Sequence, residues 1–584
     1  MTFRNNMIRC IRGHRIILIV ILCLFGLSVA QPRMAPHGRH AKKHKDSRVY
    51  LIHSDELRYD MYSANPDAQI VKGHVYFLHQ GGHLWCDSAY FYQESNSVKA
   101  FGHVRFRQGD TLSLNCDYAD YDGVQQLMQA RHHVVLKHRL QTLYTDSLDY
   151  DRLYDFAYFQ EGGTLIDGKD RLVSDWGEYN LKNGEAKFSF NVKMRNGKRL
   201  ITTDTLYYDT RKSMAHLVGP SKIISGTSVI HTQQGYFNTK SDKAQLYGRS
   251  TVVDKGKTIT GDSLYYDDKT GLNRGYGNVV FVDKKNKNSL SCGKLTYNEK
   301  TGYGFATIRA LAKDYSQKDT LYAHSDTMKI YTFNINTDSV YRKVHCYRKV
   351  RTYRTDMQAV CDSMVINTKD SCMTMYKDPI VWNANRQLLG EVIKVYMNDS
   401  TIRFAHIIGQ ALSVELMNDA KHYNQVTSKE MKAYFVDGNV RRSDAIGNVL
   451  AVYYPVDDKD SSLIGLNYIE TDTMKMYMSK ERKLERIWMP KAQGIMYPLS
   501  QTPPAKMKLS NFAWFDDIRP LNKDDVFNWR GKKDGTDLQI LKRHDAPLQH
   551  IGRNGGDPNV LSKSLETPPI TNGAKITGKK LMPK

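Results

Sequence analysis

The sequence predicts an all-β protein: an elongated β-jelly-roll or β-solenoid of about fourteen two-strand repeats of roughly 29 residues. Three observations predict it. A pattern D-x-φ-x-Y-[DN] (φ apolar) returns at nearly constant spacing. The residues between copies alternate polar and apolar with period two. Tyrosine is in excess, at 37 against 19 Phe and 6 Trp, and Tyr suits strands with one wet face and one apolar face.

Taken from the N-terminus, residues 1–30 read as a secretory signal peptide. The segment is basic up to Arg15, apolar from Ile16 to Val29, and ends in Ser28-Val29-Ala30 before Gln31, a small-residue cleavage site. An uncleaved anchor is the alternative, although the apolar run is shorter than the ~20 residues a membrane span prefers. Either reading places the body outside the cytoplasm, in the periplasm, with association to the outer or inner membrane open. Residues 31–48 form a basic linker. Its His37, His40 and His44 sit among Arg39, Lys42, Lys43 and Lys45, a solvated charged segment before a metal or headgroup site.

Residues 49–310 carry the clearest repeats. The leading Asp falls at Asp87, Asp117, Asp146, Asp175, Asp204 and Asp262, with Gln233 in the intermediate slot, so successive spacings are 30 and then 29 residues. Copies such as Asp204-Thr205-Leu206-Tyr207-Tyr208-Asp209 alternate with a second run that a small residue usually enters, such as Gly102-His103-Val104-Arg105-Phe106 and Gly277-Asn278-Val279-Val280-Phe281. In the first run Leu206 and Tyr208 share one face against Thr205, Tyr207 and Asp209; in the second Val104 and Phe106 oppose His103, Arg105 and Arg107. A two-strand unit cannot bury its apolar face alone, so the repeats stack into one core lined by Leu, Val, Phe and one Tyr per rung. Residues 311–500 continue the phase with drift, through Asp326, Asp362, Glu391 and Asp472.

This alternation resembles the OstA-type domain, the fold of the periplasmic lipopolysaccharide-transport protein LptA and of the N-terminal domain of LptD, here in the long form found in Bacteroidetes-type bacteria. The resemblance covers roughly residues 50–400 and weakens toward 500. It implies an open, twisted jelly roll whose apolar interior holds lipid acyl chains, and edge strands that join domains end to end. The implied partners are lipopolysaccharide or lipid A, other Lpt-type bridge proteins or an LptD-like outer-membrane translocon reached by edge-strand pairing, and a second copy in head-to-tail self-association; nucleic acid is not among them. The lipid-contacting residues it implies are the inward series Val75, Phe77, Val104, Phe106, Leu148, Leu206, Leu264, Val279 and Phe281, for which ordinary core packing is the competing account.

A carboxylate repeated in nearly every rung serves turns and strand ends, because acid–base chemistry needs one differentiated pair. No catalytic residue, metal set or cofactor is assigned, and the chain is read as a non-enzyme. Net charge is +23, and +19 once the leader's Arg4, Arg9, Arg12 and Arg15 are removed, which favours an anionic partner. The Tyr- and Arg-interleaved stretch 346–354 is, after a signal peptide, a basic strand edge facing lipid or glycan phosphate rather than nucleic acid. Hydrophobic residues at 41%, charged at 25% and a mean hydropathy of −0.55 exclude both a helical polytopic membrane protein and wholesale disorder. Six cysteines follow the leader, too few for a disulfide scaffold. Cys86 and Cys116 fall on adjacent rungs, where either a bridge or two small buried residues fits.

Residues 501–530, with Phe512-Ala513-Trp514-Phe515 and Val526-Phe527-Asn528-Trp529 off the repeat phase, are an aromatic cap on the last rung or a docking segment. Residues 531–584 have no aromatic residue and read as a disordered basic tail. Two other readings remain: a secreted β-solenoid scaffold, adhesin or glycan-acting protein, and an outer-membrane β-barrel, against which the disordered basic C-terminus counts.

Overall fold

Alternating β-branched, aromatic and polar residues run on for eleven or twelve residues at a time in strands such as Gly82–Tyr92, Ser97–Gln108 and Arg199–Asp209. The computed structural model describes residues 48–530 apart from 336, 399, 400, 458, 461, 482 and 483. The expected signal peptide (1–30), the linker up to residue 47 and the tail (531–584) lie outside the described residues. There are 34 strands among the described residues, joined by antiparallel pairing, and helix is limited to Pro504–Met507 and three 3-10 turns. No helix among the described residues is long and apolar enough to cross a membrane. The all-β, jelly-roll-like expectation is thereby met.

The described residues divide into two compact units, 48–129 and 130–530. In the first, Tyr50–His53 and Glu56–Tyr59 lie end to end along Gln69–His79, which begins a run of hairpins through Leu112–Asp122. In the second, successive hairpins continue from Glu185–Asn196 to Met357–Asn367. The drift in spacing near residues 310–345 is absorbed by the loops 315–320 and 334–340, and the pairing passes through them. At several places two short strands stand where one long strand would, as in Cys372–Tyr376 and Ile380–Asn383, both paired with Met357–Asn367.

The two runs read from the sequence are not separate strands but halves of longer ones. The small residue that was expected to enter the second run sits at mid-strand, in a bulge. Gly102 and His103 have φ of +74° and +42°, Gly277 and Asn278 +69° and +44°. The pairing register slips by one residue at each such site. The leading Asp is placed there too, opposite the bulge, which corrects its expected place at turns and strand ends. Asp87 Oδ2 meets His103 Nδ1 at 2.7 Å, and Asp262 Oδ2 accepts from Asn278 Nδ2 at 2.9 Å. A Cβ on Gly277 would collide with the Asp262 carboxylate, so the Gly and the Asp are one device. The turns belong to the other end of the motif. The trailing Asp209 accepts from the amides of Arg211 and Lys212 (3.0 and 2.9 Å), and Asn238 from Lys240 and Ser241 (3.1 and 2.7 Å).

The bulge decides which side chains reach the core. Along Arg199–Asp209, Ile201 and Thr203 are buried and so are Leu206 and Tyr208, a slip of one in the alternation at Asp204. A strand that ran straight would turn Leu206 and Tyr208 outward. The bulge re-aims the second half so that both halves face the same interior.

All six cysteines of the described residues are buried and form no disulfide. Cys86 and Cys116 are core side chains, paired across the ladder with Val75 and Val104 respectively. Burial pushes the Cys86 thiol up to about 12, which leaves it protonated and unreactive at neutral pH.

The aromatic segment 501–530 lies along the flank of the second unit, on the face opposite the interior. Gln425 donates to Met507 O and accepts from Leu509 N, both at 2.9 Å; Gln387 does the same with Ala513 O (2.9 Å) and Phe515 N (2.8 Å). Each amide side chain thus stands in for a backbone peptide of a neighbouring strand. Arg519 Nε reaches Gln358 Oε1 at 2.8 Å, and the Phe527 ring packs on His324, with 4.8 Å between ring centres. Ile518, Phe512 and Trp514 cover Val360, Trp382 and Leu412.

Candidate functional site

Two rows of inward side chains run across the ladder of the second unit, one on either side of the bulges. The first passes through Leu172, Met194, Ile201, Ile223, Ile230, Val252, Ile259 and Phe281, each opposite the next. The second passes through Tyr179, Ala186, Tyr208, Ala215, Phe237, Ala244, Tyr266, Asn273, Tyr297, Gly304, Ile330, Val344 and Ile366. Large alternates with small along most of the second row, so each ring lies over an Ala, Asn or Gly and the interior packs without overlap.

Burial changes along both rows. Leu172, Met194 and Ile201 are 0% exposed and Ile223 is 3% exposed. Ile230, Val252, Ile259 and Phe281 are only half-buried. In the other row Tyr208, Ala215, Phe237 and Ala244 are buried, whereas Tyr266, Tyr297, Ile330, Val344 and Ile366 are half-buried. Half-buried Ile259, Phe281, Ala312, Ile330, Val344 and Ile366 all rest on one buried cluster. The first row is half-buried from Ile230 to Phe281 and buried again at Leu290 and Ala323, while the second stays buried through Phe237 and Ala244 and is half-buried at most positions from Tyr266 to Ile366, so the closed interior ends near Ile223 and opens by degrees between Ile230 and Ile366.

Polar contacts across the mouth account for the closed part. The hairpin ends at the two edges approach one another there. Tyr208, near the end of its strand, donates its hydroxyl to Asp167 and Asp170 on a turn of the opposite edge, at 3.0 and 2.9 Å. Burial and these two carboxylates push the Tyr208 phenol up, so it stays a donor. His138 Nδ1 meets Tyr179 Oη at 3.1 Å, and burial holds the His138 pKa down. Arg199 grips Asp242 and Asp268 across the mouth, the latter at 2.7 Å, with its guanidinium 5.2 Å from the centre of the Phe237 ring. Within the first unit the same arrangement joins His79 to Tyr121 at 2.6 Å and Gln126 to Gln80 at 2.9 Å. Among the described residues the series of cross-mouth hydrogen bonds and ion pairs stops at Arg199, and beyond it Asp283 of one edge and Arg342 of the other interact through their charges. Tyr266, one rung on, gives its hydroxyl to Asp268 of its own edge at 3.0 Å.

Cations bracket the accessible stretch. Lys255, Lys257, Lys284, Lys285 and Lys287 are exposed at the turns of one edge, and Lys240, Lys269, Lys300 and Lys369 at those of the other. Lys269 Nζ donates to Lys240 O at 3.3 Å, and Lys300 in turn to Lys269 O. An apolar cleft with ammonium groups on both rims can take hydrocarbon inside and phosphate or carboxylate at the edge.

The nine residues singled out in the sequence all point inward. Val75, Phe77, Val104 and Phe106 are buried in the first unit; Leu148, Leu206, Leu264 and Val279 are buried in the second. Leu264 and Val279 are buried although their strands lie between Ile230 and Ile366, and of the nine only Phe281 is half-buried. Sequence reasoning missed the accessible Ile230, Val252, Ile259, Ile330, Val344 and Ile366, and it missed the cross-mouth contacts. A signal for the contacts was present. The last residue before each turn of one edge is His79, Gln108, His138, Asp167, Asn196, Ser225 and Asp254, a polar slot that recurs at the repeat period.

Residues 46–204 and 186–262 match a family model described as OstA-like protein. This stretch, which holds the closed interior and the first accessible rungs, is OstA-like. No curated protein matches the chain. Among solved structures, LptH of Pseudomonas aeruginosa, described as the LptA-homologous periplasmic component of its lipopolysaccharide transport device, is 20% identical over 17% of this chain and 75% of its own, with a TM-score of 0.16.

Proposed function

We propose that this protein is a non-enzymatic periplasmic carrier of lipopolysaccharide-transport type, which shelters acyl chains in the accessible interior between Ile230 and Ile366. The observation that carries the reading is the coincidence, on the same rungs, of half-buried apolar rows and lysines on both rims. Hydrocarbon entering that cleft leaves water at about 25 cal/mol per Å² of apolar surface, and a phosphorylated headgroup meets the rim lysines. The OstA-like match over residues 46–262 supports the class. Transfer to a partner would use edge strands. Leu57 and Tyr59 at one end of the strand order, and Trp488, Ile495 and Met496 at the other, are exposed on strands paired to a single neighbour, the arrangement that strand addition exploits. The same edges would serve an LptD-like translocon, a bridge protein or a second copy.

Native mass spectrometry of the mature chain from its own host, followed by lipid extraction, tests the proposal. Stoichiometric lipid A-bearing glycolipid is expected, reduced at least tenfold in a Phe281→Asp, Ile330→Asp variant that still folds. A wild-type chain that carries no lipid and takes up none from added lipopolysaccharide would refute it. The closed interior before Ile223 favours a second reading, a scaffold, for that stretch.

A further inference from the structure

The closed and accessible stretches are lined by the same two rows, and the buried hydroxyls that lie between the rows at mid-strand are bonded in pairs on both sides of the boundary, Thr203 with Ser221 and Thr232 with Ser250, each at 2.8 Å. Met194, Ile201 and Ile223 continue directly into Ile230 and Val252. What changes at the boundary is the mouth. Each cross-mouth contact is made by side chains at hairpin ends, while the ladder behind it is backbone pairing, so parting a contact breaks no ladder bond. Arg199 stands at the end of the series and holds three groups at once, Asp242, Asp268 and the Phe237 ring.

We propose that the contacts of His138, Asp167, Asp170 and Arg199 with Tyr179, Tyr208, Asp242 and Asp268 are a reclosable seal that sets how far along the interior an acyl chain reaches. With the seal shut, a bound chain is confined to the rungs from Ile230 onward. With it parted, the chain extends along Ile223, Ile201 and Met194, whose surroundings are as apolar as the rungs it leaves. A hydroxyl–carboxylate contact is of the size that a few buried methylenes balance, so the seal is a control point on transit rather than a permanent wall. Arg199 is the positioning residue at the boundary: it touches both edges and lies where burial of the rows changes. This inference rests on the acyl-chain reading above.

The test uses the mature chain and a fatty acid with a diazirine near its methyl end, photolysed after binding and mapped by peptide mass spectrometry. In the wild type, adducts are expected within residues 228–367, at least tenfold over those within 186–225. In Arg199→Ala, Tyr208→Phe, adducts are expected to spread onto 186–225, with strand content unchanged by circular dichroism. Tyr208→Phe alone, which removes a single oxygen, is expected to give a partial spread and decides the matter if the double variant does not fold. Equal labelling of 186–225 in the wild type, or no change of pattern in folded variants, would overturn the seal while leaving the carrier reading intact. No adduct anywhere would overturn both.

Discussion

Two stretches of the second unit, built from one rung, are held together differently. Between His138 and Ile223 the interior is closed and the strand ends are clasped across it by Tyr–carboxylate, His–Tyr and Arg–carboxylate contacts. Between Ile230 and Ile366 the clasps end with Asp242 and Asp268, both held by Arg199, and the rows become half-buried. Support at the far end of that stretch comes from outside, where Arg519 bonds to Gln358 and Phe527 packs on His324, and the flanking segment continues past it to Gln387 and Gln425. An antiparallel sheet that leaves its inner face open forgoes the burial that would stabilise it. Phe512, Trp514 and Ile518 cover the outer face from Val360 at the end of that stretch to Trp382 and Leu412 beyond it, which adds burial without filling the cleft.

The comparison breaks most visibly by placing a charge inside each stretch. Leu206→Asp buries a carboxylate without a partner in a fully closed core and is expected to cost about 4 kcal/mol, enough to abolish the cooperative thermal transition. Phe281→Asp, on the accessible part, is expected to cost about 1–2 kcal/mol because water reaches the site. Equal losses in the two melting curves would mean that the stretches do not differ in access.

Acid should loosen the flank of the accessible side. His324 is buried against Phe527, and burial pushes its pKa down to about 4 from 6.5. Between those values the unfolded chain binds a proton that the folded chain does not. Stability is therefore fully present above pH 6.5 and falls as the pH drops toward 4, by on the order of 3 kcal/mol in all. Urea midpoints at pH 4.5 and 7.5 measure it, and His324→Gln is expected to flatten the difference.

Smaller changes separate the clasps from their local counterparts. Tyr208→Phe is expected to cost about 1–2 kcal/mol, seen as faster amide exchange at the ends of Arg199–Asp209, while Tyr266→Phe loses only a contact to exposed Asp268 and should cost under about 0.5 kcal/mol. The bulge, by contrast, is common to both stretches. Gly219→Ala, at φ +90° with Asp204 Oδ2 2.8 Å from the new Cβ, and Gly277→Ala, at φ +69° against Asp262, are each expected to lose about 1 kcal/mol by chemical denaturation. Removing the facing Asp should recover part of the loss in both.

Much of the rung was legible in the chain. Leu206 and Tyr208 share a face in the pattern and are both buried, and the trailing Asp209 and Asn238 are turn residues of the kind the motif suggests. The leading Asp was misread because its partner, a bulge in the neighbouring strand, lies 15 or 16 residues away, and around the Asp itself shows only as a one-residue slip in the alternation, as between Ile201 and Leu206. The polar slot running from His79 to Asp254 was visible at the repeat period but looked like ordinary strand-end polarity.

The sequence by itself determined the class of structure and the inward set, because both depend on short-range regularities: a period of two within strands and about 29 between them. Which inward residues are sealed and which are open was decided by the tertiary structure alone. Tyr208 meets Asp170, and Arg199 meets Asp242 and Asp268, only because the bulged strands curve until opposite hairpin ends touch. Side chains 38 to 69 residues apart have no sequence-local reason to be neighbours, so the change from clasped to open at Arg199 is a property of the tertiary structure.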